Sequence, residues 1–143
     1  MFLGEYEYRI DQKGRLTIPP RLREEYRNGI ITTRGYDRCI VAYTVSQWNK
    51  NSEQYRSLPT TNSSSRLINR LLFSSAFDLT LDRLGRLHLP LPLKTYARIE
   101  EDVVIAGVGN YIEIWSKQSW MRERSTMEQK AAEIAEDIGW ETK

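Results

Sequence analysis

Tyr6, Tyr8 and Ile10 alternate with Glu7 and Arg9 near the start of the chain, the period-2 signature of a strand with one buried face. The same alternation returns at Phe77, Leu79 and Leu81, set between Asp78 and Thr80. A turn follows each, and then a short second strand. Leu16 and Ile18 point inward and Arg15 and Thr17 outward, a phase repeated by Leu87 and Leu89 against Arg86 and His88. Proline ends both strands and opens short helices within PPRLREEYR (19–27) and PLPLKTYARI (90–99). Pro20 and Pro92 suit a first helical turn, where no backbone donor is needed. Leu22 with Tyr26, and Leu93 with Ala97, supply the inward i, i+4 pairs. Apolar strands come next, GIITTRG and CIVAY in one half, DVVIAGVG and YIEIW in the other. Both lead into helices, one beginning near Ser46 and one between Ser116 and Ser119.

Two further helices complete the pattern. SSSRLINRLLFSS (63–75) offers Ser64 or Ser65 as an N-cap, followed by Leu67, Ile68, Leu71 and Leu72 on one stripe. The final stretch sets Trp120, Met127, Ile134 and Ile138, with Ala131 and Ala135, on one face. Arg122, Glu128, Lys130, Glu133, Glu136 and Asp137 lie on the other. The reading is of a packing element whose stripe seats on its own subunit or on a neighbour.

These parallels amount to a duplication. At an offset of 71, residues 8–25 lie over 79–96 with Asp11/Asp82, Gly14/Gly85, Arg15/Arg86, Leu16/Leu87, Pro19/Pro90 and Leu22/Leu93 identical. Chance would supply about one identity over such a span. After a one-residue slip, Gly35 meets Gly107, Ile40 meets Ile112, Tyr43 meets Trp115 and Trp48 meets Trp120. Upstream, Phe2 falls on Phe73 and Tyr6 on Phe77. The units are therefore placed at 1–71, including linker helices, and 72–143, including the C-terminal helix.

Composition narrows the function classes. With 40% apolar and 28% charged residues, the chain reads as a soluble globular protein. No apolar run nears the roughly 20 residues that span a bilayer, and MFLGEYEYR lacks the pattern of a secretory signal. One cysteine, Cys39, fits a reducing cytoplasm and allows no internal disulfide. One His and one Cys also leave too few ligands for a zinc site, so no metal or cofactor is expected. The net charge of +2 is small. Nucleic-acid binding would need local concentration of the basic residues, or several subunits acting together.

The repeated tips, DQKGRL and DRLGRL, carry the chemistry. Asp11 and Asp82 can accept hydrogen bonds from turn amides, and Gly14 and Gly85 can take a positive φ. Arg15 and Arg86 then face water, opposite the inward leucines, near the end of a two-stranded ribbon. Lys13 and Arg83 lie in the turns beside them. A two-stranded ribbon fits the major groove, and an arginine fork can bond guanine O6 and N7 bidentately. A plain hairpin in which the Asp pairs with the Arg would show the same residues, and the two roles can coexist.

Catalytic readings fail on residue chemistry. Paired aspartates from homologous lobes invite comparison with aspartic proteases, whose dyad shares one proton. Here the supporting Thr/Ser-Gly is absent, and neighbouring Lys13, Arg15, Arg83 and Arg86 favour ionisation of both acids. Cys39 reads as a core residue and His88 as an outward one, a poor nucleophile–base pair. AGVGN lacks the spacing of a dinucleotide loop and reads as a turn between strands. The chain is read as a non-enzyme with no small-molecule substrate.

The opening MFLGEYEYRIDQKGRLTIPPRLRE, then TRGYDRCI, RLLFSSAFDLTLDRLGRLHLP and YIEIWSKQSW, closely resemble the MraZ family over nearly the whole chain. The resemblance implies an α+β fold of two tandem AbrB-like swapped-hairpin β-α-β repeats. They would form one pseudo-twofold β-barrel-like unit flanked by helices. It implies a cytoplasmic, nucleoid-associated transcriptional regulator of the division and cell-wall gene cluster. Such a regulator assembles as a homo-oligomeric ring on double-stranded promoter DNA. The family's Asp-x-x-x-Arg signature maps onto Asp11 with Arg15 and Asp82 with Arg86, the arginines contacting DNA and the aspartates holding the turns. In the second loop Leu84 stands where the first has Lys13, and Arg83 brings its charge one residue earlier. The alternative is an antitoxin-like module binding a toxin partner. Antitoxins of that type carry a disordered wrapping tail, whereas AAEIAEDIGWETK reads as helical and leaves little tail.

Overall fold

The computed structural model describes residues 1–139, so the last part of the expected C-terminal stretch, residues 140–143, lies outside the described residues. Among the described residues, eight strands and five helices follow in order. They are β1 (Glu5–Arg9), β2 (Arg15–Thr17), α1 (Pro20–Arg23), β3 (Ile30–Arg34), β4 (Ile40–Thr44), α2 (Val45–Arg56), α3 (Ser63–Phe73), β5 (Phe77–Leu79), β6 (Arg86–His88), α4 (Leu91–Tyr96), β7 (Asp102–Gly107), β8 (Ile112–Ser116) and α5 (Lys117–Asp137). A 3-10 turn over Glu24–Tyr26 extends α1. The fold is mixed α+β.

Six strands form one antiparallel sheet in the order β1-β7-β8-β4-β3-β5, and β2 pairs with β6 in a separate two-stranded ribbon. The order reads the same from either end once each strand is exchanged for its counterpart in the other half. β1 pairs with β7 and β5 with β3, so the first strand of each half completes the sheet of the other. The approximate two-fold runs through two pairs of equivalent residues, Leu16 opposite Leu87 in the ribbon and Val41 opposite Glu113 in the sheet.

Alternation along the strands sends side chains into two layers. The inner face contributes Ile30, Ile40, Ala42, Val103, Ile105, Ile112 and Ile114, which close over Leu16, Ile18, Leu87 and Leu89 of the ribbon. Leu22, Tyr26, Leu93 and Ala97 plug the ends, as the i, i+4 spacing predicts. Tyr26 is buried, and its hydroxyl donates to the Ala42 carbonyl at 2.8 Å. The outer face carries Cys39, Val41, Val104, Ala106 and Trp115, with Trp120 of α5 against it.

The helices depart from expectation at α3, and at α5 one of the two seats left open to its stripe falls away. The cap of α3 is Asn62, whose Oδ1 accepts from the amides of Ser64 and Ser65; those serines already lie inside the helix. Leu72 of the expected stripe is buried, but Leu67 is 63% exposed. The stripe of α5 seats only at its start. Trp120 is buried, and Arg124 and Lys117 pair with Glu5 and Glu7 of β1. Beyond them Met127, Ile134 and Ile138 are 40%, 43% and 56% exposed, so the stripe does not seat on its own chain. No helix among the described residues is long and apolar enough to cross a membrane.

Candidate nucleic-acid interface

Both turns are built by one aspartate each. The Asp11 carbonyl accepts from the Gly14 amide at 3.0 Å, and the Arg15 carbonyl accepts from the Asp11 amide at 3.1 Å. Asp11 Oδ1 accepts from the amides of Lys13 and Arg15, both at 2.9 Å, while Oδ2 accepts from Arg15 Nε at 2.7 Å. Asp82 repeats the set with the amides of Leu84 and Arg86 at 2.9 Å and with Arg86 Nε at 2.7 Å. Gly14 and Gly85 hold φ of +78° and +74°, the left-handed conformation the turn demands. The Arg15 amide, and after it the Arg15 guanidinium, holds the Asp11 carboxyl below the usual carboxylate range against the opposing effect of desolvation. Arg86 does the same for Asp82.

This bracing settles the state of the arginines. Their side chains are 29% and 26% exposed, neither entombed nor free. Each Nε is committed to its aspartate, and among the described residues neither terminal nitrogen of either guanidinium makes a hydrogen bond. A guanidinium held from behind by a carboxylate keeps its outer edge for a further acceptor at little extra cost in side-chain entropy.

The ribbon that carries them is not a plain hairpin. β2 pairs with β6, seventy-odd residues away, rather than with β1. Arg15 stands opposite His88 and Arg86 opposite Thr17, which makes the two arginines diagonal neighbours on one outward face. In a regular antiparallel pair such residues stand about 7–8 Å apart. Each turn is also fastened to the other half: Leu89 donates to the Gly14 carbonyl at 3.0 Å and Ile18 to the Gly85 carbonyl at 2.9 Å. Lys13, Arg15, Arg83 and Arg86 thus belong to a single surface, with Lys13 and Arg83 exposed in the turns.

Two basic residues escaped the reading of the sequence. Lys94 Nζ lies within 4.0 Å of the position a side chain on Gly14 would take, and the Arg23 guanidinium covers the same position at Gly85. Arg23 Nε donates to the Ile18 carbonyl at 2.7 Å, which fixes it there. Arg23 and Lys94 are equivalent at the offset of 71 and lie within the aligned span, but as a basic pair and not an identity they did not stand out. His88 is exposed on the ribbon and Cys39 is buried, with its thiol pushed up by burial, so no nucleophile–base pair forms. Among the described residues, no group of three or more His, Cys, Asp or Glu could hold a metal ion.

Comparison with known proteins places the chain in a family. The family described as "MraZ protein, putative antitoxin-like" matches twice, over residues 1–71 and 72–138. A protein of Dehalococcoides mccartyi strain BAV1, named Transcriptional regulator MraZ, is 44% identical over 139 residues, covering 96% of this chain and 98% of its own. Proteins of the same name from Roseiflexus sp. strain RS-1 and Syntrophomonas wolfei are 41% and 44% identical over 138 residues, covering 96% of both chains. With two family repeats and such relatives along nearly its whole length, the chain belongs to the MraZ family.

Proposed function

We propose that the chain is a sequence-specific, DNA-binding transcriptional regulator that reads short promoter repeats in double-stranded DNA through the β2–β6 face. The observation that carries this reading is the diagonal placement of Arg15 and Arg86 on one outward ribbon, each braced by its own aspartate. The printed names of the relatives support the class. Arg15 and Arg86 supply base contacts, Lys13 and Arg83 supply phosphate contacts, and Asp11, Gly14, Asp82 and Gly85 support the turns. Exchange of first strands between the halves favours the swapped-hairpin, AbrB-like description, with units at 1–71 and 72–143.

The same proposal places the protein in the cytoplasm on the nucleoid, acting on the division and cell-wall gene cluster as a homo-oligomeric ring. The exposed stripe of Met127, Ile134 and Ile138 on α5 favours a protein contact there, which we assign to a second copy of the chain. A stoichiometric small toxin co-purifying with the protein would move that contact to the antitoxin-like reading.

The test is the double variant Arg15→Ala, Arg86→Ala in a gel-shift titration on the protein's own upstream DNA. Loss of two bidentate contacts, each worth about 1–3 kcal/mol of discrimination, should abolish the specific complex. Circular dichroism and sedimentation should stay unchanged. Wild-type affinity in the variant removes both arginines from the mechanism.

A further inference from the structure

Behind the sheet, on the side away from the ribbon, lies a cavity of about 140 Å³ between α2, the end of α3, the β3–β4 turn and β8. Six of its walls are aromatic: Tyr36, Tyr43, Trp48, Tyr55, Phe73 and Tyr111. They hold one another in place. Tyr43 lies 5.7 Å from Trp48 and 5.3 Å from Tyr111, ring centre to ring centre, and Trp48 meets Phe73 edge-on at 5.6 Å. The Tyr36 and Tyr55 hydroxyls bond across the rim at 3.0 Å. A dry cavity of about 150 Å³ accommodates a molecule the size of benzene.

Duplication supplies an internal control. Tyr43 and Trp48 of the first half are equivalent to Trp115 and Trp120 of the second. In the second half that pair is 5.7 Å apart and buried, closing α5 onto the sheet. In the first half the corresponding pair is only half-buried and borders the cavity. Symmetry breaks again at the two-fold, where Val41 faces Glu113, and both line the cavity. A carboxylate thus replaces an aliphatic side chain on an otherwise apolar sheet face. Trp115 Nε1 donates to Glu113 Oε1 at 3.1 Å, and burial raises the Glu113 carboxyl above its ordinary range.

The charge balance selects the occupant. Glu113 and Asp37 are the acids of the wall, and Arg34 is its base. The Arg34 guanidinium lies over the Tyr96 ring at 4.9 Å, and Tyr96 is not part of the wall. Aromatic faces attract a cation that has shed its water, and alkyl groups on the nitrogen fill such a space better than a hydrated ammonium does. An anion meets net negative charge, and a hard divalent ion lacks the six or so oxygen ligands it requires.

We propose that this cavity binds a small organic cation, an alkylated or quaternary ammonium ion, caged by Tyr43, Trp48, Tyr55 and Tyr111 with Glu113 as counter-ion. The site is separate from the ribbon and needs no chemistry of its own, which marks the ligand as an effector rather than a substrate.

Isothermal titration of the full-length protein with choline chloride tests it, at constant ionic strength set by sodium chloride. The neutral isostere 3,3-dimethylbutan-1-ol serves as the matched probe. Expected is saturable binding of choline with a Kd of about 1 mM or tighter, movement of the Trp48 indole N–H resonance, and about tenfold or weaker binding of the neutral probe. Glu113→Gln should weaken choline binding about tenfold. Should that variant fail to fold, the comparison of probes on the wild-type protein decides alone. Equal binding of both probes, no saturation by roughly 10 mM choline, or resonance shifts confined to other surfaces each overturn the proposal.

Discussion

A single carboxylate does three jobs in each turn, and its protonation undoes all of them together. Asp11 and Asp82 accept from two amides and one guanidinium apiece, and both are held below the usual carboxylate range. The direction fixes the pH window. A carboxyl whose folded value is depressed contributes stability that is complete above its unfolded value, near 3.9, and is lost as the pH falls through the lower folded value. The contribution of these two carboxyls to wild-type stability should therefore be constant from neutrality to about pH 4 and be lost below it. Asp11→Asn with Asp82→Asn keeps an amide-bonding oxygen but no charge. It should melt lower at neutral pH and close the gap with wild type only below about pH 4. A gap that is the same at pH 3 and pH 7 would mean that the ion pairs add nothing to the turns.

Between β2 and β6, three residue pairs decide where both arginines point. The pair at the centre, Leu16 and Leu87, has no exposed surface in either member. Leu16→Ala should cost about 2–5 kcal/mol in urea unfolding, and Leu87→Ala about the same, because the two sites are equivalent. As the two side chains face each other across the ribbon, the double variant should cost less than the sum. A loss below about 0.5 kcal/mol, the level of a surface change, would show that the ribbon is not part of the cooperative core. The inward and outward phase of these strands was legible from Leu16, Ile18, Leu87 and Leu89 alone, since period-2 alternation is a local property. Their partnership was not. A three-residue strand carries no record of which distant strand it will meet, so local patterning left a plain hairpin open, and only the family resemblance implied an exchange between the halves. Local competition also hid the cap of α3, where Asn62 precedes a run of serines and takes both free amides first. The periodicity of α5 announced an apolar face, yet only packing could show that Trp120 alone is covered by this chain. Glu113 lay in plain view within YIEIW, but its meaning depended on Val41 standing opposite.

At the scale of the molecule, a net charge of +2 must serve a polyanionic partner, and the distribution of charge explains how. Lys13, Arg15, Arg23, Arg83, Arg86 and Lys94 gather at the ribbon and its two turns, where Asp11 and Asp82 are the acids that brace Arg15 and Arg86. Affinity for DNA falls with salt in proportion to the phosphates neutralised, with a slope of about −0.9 for each. Lys13 and Arg83, the phosphate contacts of the repeated tips, would give a slope of about −1.8, whereas these two together with Arg23 and Lys94 would give about −3.6. Such a unit binds weakly by itself, and linked copies can gain roughly 10² to 10⁴ in apparent affinity when the DNA sites match their spacing. Separating the two contributions requires single chains. Met127→Ser with Ile134→Ser removes exposed apolar surface from α5 without touching its buried anchor, and by the assembly proposed above it should sediment as separate subunits. Fluorescence anisotropy on one promoter repeat across a salt series should then give a slope of about −3.6. Adding Arg23→Ala and Lys94→Ala should bring it to about −1.8. A slope that ignores those two substitutions would confine the contact to the turn residues. Unchanged affinity in separated subunits would show that one ribbon suffices, because a single unit would then bind without the gain that linked copies provide.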